Sequence, residues 1–165
     1  MQTNWKKNTA IFLASQGISF FGSMLVQHAI AWHINLTTGS GVYMAIAILC
    51  GFVPTFLLSP FAGVWADRYN RKTLAILSDG GIAAATLVLA LMVRAGNSSL
   101  IPMFIALAVR ALGSAVQQPC VNAILPSIVP QEHLMRVNSL QGSLQSVIML
   151  FSPMLAAVLI KTVPF

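Results

Sequence analysis

An all-α, polytopic membrane bundle of five transmembrane helices is the fold this sequence predicts, and three observations predict it. Of the 165 residues, 57% are hydrophobic and 7% charged. A soluble domain carries about 25% charged residues, so a chain this apolar could not cover a water-facing surface. The apolar residues gather into five runs of roughly 20–25 residues, each long enough for a tilted helix to cross about 30 Å of hydrocarbon at 1.5 Å per residue. The nine lysines and arginines fall mostly in short connections between the runs. There they report orientation in a bilayer rather than a nucleic-acid surface. The runs do not alternate as barrel strands would.

The first run, residues 9–32, follows Lys6 and Lys7. It exceeds a signal-peptide core, contains Gln16 and Gln27, and is not followed by a small-x-small cleavage site, so it reads as a span. The second, 42–66, follows the turn-rich stretch Asn35–Gly41, "NLTTGSG". The third, 73–93, follows Ala66–Lys72, "ADRYNRK". The fourth, 100–123, follows Arg94–Ser99, "RAGNSS". The fifth, 137–160, follows Leu125–Arg136, "LPSIVPQEHLMR", a connection expected to hold a short surface helix after Pro130. Two Asn-x-Ser/Thr triplets, at Asn35 and Asn97, fall in connections and carry no weight.

A cytoplasmic N-terminus places Lys6, Lys7, Arg68, Arg71, Lys72 and Arg136 inside and leaves Arg94 and Lys161 outside. Six against two is a positive-inside bias, as expected of a cytoplasmic (inner) membrane protein. Cys50 and Cys120 lie within apolar runs without a CxxC partner and read as small buried hydrophobes. No metal or cofactor site is legible. HExxH, GxSxG and GxGxxG are all absent, so the chain is not expected to be an enzyme.

Two charges are placed where charge is expensive. Asp79 lies in span three, about 10 Å from the inner face, and Arg110 in span four, about 15 Å from either face. An intramembrane charge costs at least about 2.5–3.5 kcal/mol, so such residues pair or line a wet cavity. The sequence suggests that the two interact directly or through water. Polar stripes mark faces turned away from lipid: Gln16, Ser19, Ser23 and Gln27 in span one, and Asn138, Gln141, Gln145 and Ser152 in span five. Interhelical hydrogen bonding explains each singly; both together favour a cavity. His28 and His33, near the outer end of span one, offer a proton relay.

The "ADRYNRK" connection holds more than topology-setting cations. Asp67 contributes little to orientation, and Ser59 and Gly63 before it form a small-xxx-small pair suited to close helix contact. The stretch Gly63–Leu74, "GVWADRYNRKTL", resembles the signature loop of the major facilitator superfamily, roughly G-x-L-A-D-R-x-G-R-K. Gly63, Ala66, Asp67, Arg68, Arg71 and Lys72 match, while Trp65 and Asn70 depart from Leu and Gly. Asn is the residue, after Gly, that tolerates a left-handed turn. The resemblance implies that these residues latch one conformation of a carrier, Asp67 accepting from Arg71 and from helix-end amides of a neighbouring bundle. It also implies a proton-coupling role for Arg110, although the usual glycine stands four residues on and Gly113 stands three. In span five, "FSPMLAA" resembles the core of an antiporter motif, with Ser152, Pro153, Ala156 and Ala157 in the matching places and Pro153 expected to bend the helix.

Taken in order, "DRYNRK", "SDGGIAAA", "VRALGSAVQQP", "LPSIVPQEHL" and "SLQSVIMLFSP" resemble the macrolide-efflux branch of that family. What the resemblance implies is a proton-driven exporter of drug-like or other small amphipathic compounds, built from twelve helices in two bundles. Its partners would be lipid, substrate, protons and a C-terminal bundle absent from this chain. The five spans would be the front part of such a carrier, unable to alternate access alone. A small non-transporting membrane scaffold or regulatory protein is the alternative, and buried charges at Asp79 and Arg110 argue against it.

Overall fold

The computed structural model describes residues 5–96 and 99–162. Asn97 and Ser98 lie outside the described residues, as does the side chain of Lys161. Five helices follow one another: α1 (Trp5–Thr38), α2 (Gly41–Arg68), α3 (Arg71–Arg94), α4 (Leu100–Ile128) and α5 (Gln131–Thr162). All five are long and apolar enough to cross a membrane.

The helices outrun the apolar stretches that announced them. Hydropathy marks where the chain meets the headgroups, whereas a helix ends only where its backbone bonds find other partners. Thr37 and Thr38 lie within α1, their hydroxyls donating to the carbonyls of His33 and Ile34 at 2.7–3.2 Å. α1 stops at Gly39, whose φ of 56° suits a residue without a Cβ. Ser40, Asn70 and Ser99 cap α2, α3 and α4 by accepting from the amides of Val42, Lys72 and Ile101. The connection from Leu125 to Arg136 differs most from expectation. α4 continues to Ile128, α5 begins at Gln131, and Val129 and Pro130 alone separate them, so no separate surface helix exists there. Asn70 likewise has φ −65° rather than a left-handed backbone. It serves as the N-cap of α3.

Chain neighbours are not the main packing partners. α4 lies along both α2 and α3, and α1 lies along α5. The α2–α4 and α1–α5 pairs run parallel. The Thr55 hydroxyl donates to the Ala111 carbonyl at 3.3 Å, and Trp5 stacks on His133 with ring centroids 4.9 Å apart. The α3–α4 pair is antiparallel and close: a Cβ on Gly113 would stand 2.6 Å from Ile82 Cγ1 and 3.3 Å from the Ser78 carbonyl oxygen. Apolar clusters close the two ends of the bundle. One joins Ile30, Ile34, Ala47, Leu89 and Met103. At the opposite end, Leu13, Leu125, Val129 and Val137 form one cluster and Ala66, Ala75 and Cys120 another. Between the ends lie the polar residues. The large apolar side chains of α2 and α5 face outward, as lipid contact requires.

Gly113→Ala is therefore expected to cost about 1–3 kcal/mol through overpacking, and the same change made in an Ile82→Ala background is expected to cost less than it does alone. Gly63→Ala, whose new Cβ meets nothing within 4 Å, is expected to be neutral or stabilising. Unfolding midpoints in detergent micelles measure all three.

Candidate functional site

The two charges within the bundle, half-buried Asp79 and buried Arg110, do not pair. Antiparallel packing of α3 on α4 sets Asp79 opposite Gln117, Ile82 opposite Gly113 and Thr86 opposite Arg110. Asp79 Oδ1 accepts from Gln117 Nε2 at 2.6 Å and from the Ser19 hydroxyl of α1 at 3.0 Å. The Arg110 guanidinium donates from Nη1 to the Thr86 hydroxyl and from Nη2 to the Ser23 carbonyl at 2.7 Å. Among the described residues no ion pair joins Asp79 to Arg110. The direct contact expected from sequence is thus corrected. The helix register puts about two turns, roughly 10 Å of rise, between them, more than the similar depths read from run boundaries implied.

Arg110 is 6% exposed and borders a cavity of about 500 Å³ between α1, α2 and α4, within the roughly 300–1,000 Å³ range of ligand clefts. Three helix faces build it. α1 contributes Ser23 and Gln27, from the predicted stripe, with Phe20 and Met24. α2 contributes Gly51, Thr55, Ser59 and Gly63 at four-residue steps, a face whose small side chains leave room. Ser59 and Gly63 therefore line open space instead of the tight helix contact expected of them. α4 contributes Arg110, Ser114, Gln118 and Asn122, also at four-residue steps. Sequence reasoning missed this last stripe, although its period is plain once Arg110 is taken as the first member.

The remaining cavity candidates go elsewhere. Gln16, Gln141 and Gln145 border a separate cavity of about 30 Å³ between α1, α4 and α5, room for about one water. The two polar stripes therefore do not share a single cleft. Gln117 and Gln118 border both cavities. His28 turns Nδ1 to the Met24 carbonyl of its own helix at 2.7 Å, and neither His28 nor His33 borders either of these two cavities. In α5, Ser152 and Ala156 are buried on one face, Pro153 is exposed on another and Ala157 is half-buried. The Ser152 hydroxyl is fully buried without a hydrogen-bond partner. The helix is continuous through Pro153.

The charged cluster proves to be two helix ends rather than a loop. Asp67 and Arg68 close α2, Arg71 and Lys72 open α3, and Tyr69 and Asn70 make the link. Arg71 ties three helices together. Its Nε donates to the Ala66 carbonyl and its Nη1 to the Ala123 carbonyl of α4, both at 3.2 Å. Its Nη2 lies 3.7 Å from Asp67 Oδ1, with the two side chains 43% and 78% exposed. The bonds to carbonyls were not legible in the sequence, because Ala123 is brought close only by the packing of α4 on α2.

The sequence profile described as Major Facilitator Superfamily matches residues 10–165. The chain belongs to the major facilitator superfamily. This facilitator chain is 35% identical over 156 residues to macrolide efflux protein A of Streptococcus pyogenes, covering 94% of its own length and 38% of that relative. It is 36% identical over 121 residues to macrolide efflux protein A of Enterococcus faecalis, covering 73% and 37%. It is also 31% identical over 121 residues to the staphyloferrin A transporter of Staphylococcus aureus, covering 73% and 30%. The facilitator chain thus spans about a third of the length of the relatives it matches. No solved structure matches it. Five membrane-spanning helices agree with the front half of a twelve-helix facilitator, an integral membrane protein of a transporter family and not an enzyme.

Two outcomes follow from this geometry. A double-mutant cycle between Asp79→Leu and Gln117→Leu should show a coupling of about 0.6–1.7 kcal/mol, whereas Asp79→Leu with Arg110→Leu should add within about 0.3–0.5 kcal/mol; detergent unfolding reports both. Asp67→Asn should change stability by less than about 1 kcal/mol, since an exposed pair contributes little. Arg71→Leu should lose about 1–3 kcal/mol with its two carbonyl bonds, by the same measurement.

Proposed function

We propose that this chain supplies the N-terminal helices of a proton-coupled exporter of small amphipathic compounds, seated in the cytoplasmic membrane with its N-terminus inside. The observation that carries the reading is the cavity of about 500 Å³ bordered by Arg110 and by the polar and small faces of α1, α2 and α4. A passage for amphipathic solutes needs apolar wall for bulk and a few polar groups for orientation. Phe20, Met24 and Leu107 supply the first, and Gln27, Gln118 and Asn122 the second. Likeness to two macrolide efflux proteins supports the direction of transport. The excess of cations on the Lys6, Arg71 and Arg136 side supports the orientation.

Proton coupling falls to Asp79, the mid-bundle carboxyl, because a guanidinium keeps its charge. Asp79 and Arg110 share the α3–α4 contact, so a change of protonation at Asp79 would act on the helix pair that holds Arg110. At the α2–α3 link, the weak Asp67–Arg71 pair has the character a gate requires: it forms and breaks at small cost. In this reading Gly63, Arg68, Arg71 and Lys72 belong to the latch with Asp67, and the face of α5 carrying Ser152 and Ala156 supports the antiporter arrangement with Pro153 and Ala157.

Cells carrying the complete gene should accumulate less of at least one of erythromycin, rhodamine 6G and carboxyfluorescein than cells without it. A protonophore should abolish the difference, and Asp79→Asn should reduce it at least about tenfold. Unchanged retention of all three compounds would refute export.

A further inference from the structure

Arg110 carries a positive charge into the middle of the bundle, and no carboxylate of the described chain meets it. The sequence holds three acidic residues. Asp67 ends α2 beside Arg71. Asp79 is engaged by Ser19 and Gln117. Glu132 sits in the first turn of α5. The acceptors of Arg110 are both neutral, the Thr86 hydroxyl and the Ser23 carbonyl. Neutral acceptors orient a guanidinium without cancelling its charge. The guanidinium has five N–H donors, and two take part in these bonds. Its residue borders the large cavity, and among the described residues no Asp or Glu does.

The α4 face continues this chemistry. Ser114, Gln118 and Asn122 extend from Arg110 toward the α4–α5 end over about 18 Å, all uncharged and all able to donate. Opposite them, the small face of α2 at Gly51, Thr55 and Ser59 brings no charge and little bulk. The cavity therefore has one fixed positive charge at one end, a row of donors leading to it, and apolar wall at Phe20, Met24 and Leu107.

We infer that the cavity takes an amphipathic organic anion, whose carboxylate, sulfonate or phosphate pairs with Arg110 while its apolar body lies against Phe20, Met24 and Leu107. The planar fork of Arg110 suits a two-oxygen anionic group, and an uncompensated charge in a low-dielectric layer attracts such a group more strongly than it would in water. The same charge repels a cation of equal size, so the cavity selects by sign. This assignment deepens the proposed function and rests on taking the cavity as part of the transport passage.

Two xanthene dyes of opposite charge provide the test: carboxyfluorescein and rhodamine 6G, titrated by fluorescence polarisation against the full-length protein in nanodiscs. Carboxyfluorescein should bind the unaltered protein and weaken at least about tenfold in Arg110→Gln, with most affinity retained in Arg110→Lys. Ser114→Asp keeps Arg110 but places a carboxylate one turn along the same face. It should weaken carboxyfluorescein and strengthen rhodamine 6G, a reversal that misfolding does not produce. Equal affinity for the two dyes, or carboxyfluorescein binding unaffected by both Arg110→Gln and Ser114→Asp, overturns the inference. Energised vesicle uptake of both dyes separates the two levels. Rhodamine 6G uptake with charge-blind binding leaves export standing and removes the anion site. Arg110-dependent anion binding without uptake of either dye supports the site and removes the export reading.

Discussion

The antiparallel contact between α3 and α4 is the constraint on which the rest of the site depends. Gly113 lets α4 approach until the space for a Cβ is occupied by Ile82. Close approach fixes the register, and the register decides who meets whom. Asp79 meets an amide and Arg110 meets a hydroxyl. A shift of α4 by one turn would bring different side chains to both charges. Backbone proximity at a glycine thus sets the electrostatics of groups one turn away on either side, through packing alone.

From that register comes an uneven division of charge. The carboxylate is held by two donors from α1 and α4, while the guanidinium is held by neutral acceptors from α1 and α3. The half-buried carboxylate is engaged by neutral donors, and the buried guanidinium borders a cavity. The cavity is bordered by small residues that α2 presents at every fourth position, Gly51, Thr55, Ser59 and Gly63, and small side chains leave volume.

The ends of the bundle do different work. Apolar clusters at both ends hold the helices together, so the polar middle need not contribute much to stability and is left for function. At the α2–α3 link, Arg71 makes two bonds to carbonyls and one loose approach to Asp67. The first two maintain the helix ends against α4. The third is exposed and weak.

Composition and the lengths of the apolar runs alone predicted five helices long and apolar enough to cross a bilayer, and "DRYNRK" was legible as a resemblance to the facilitator signature. These are local properties: hydropathy over a window, and a motif within one short stretch. The faces of α1 and α4 were also written in the sequence, at three- and four-residue steps, though the α4 stripe from Arg110 to Asn122 needed its neighbours before it could be read as a wall. What only the tertiary structure decided is which helices touch. Sequential neighbours α4 and α5 barely meet, whereas α1 lies along α5 and α2 along α4. In a bilayer the lipid is as apolar as a packed helix face, so hydrophobicity alone does not say which face meets which helix. Small residues and hydrogen bonds choose the partners, and they act across segments far apart in the chain. That is why Asp79 and Arg110, on adjacent helices but about two turns apart, have separate partners.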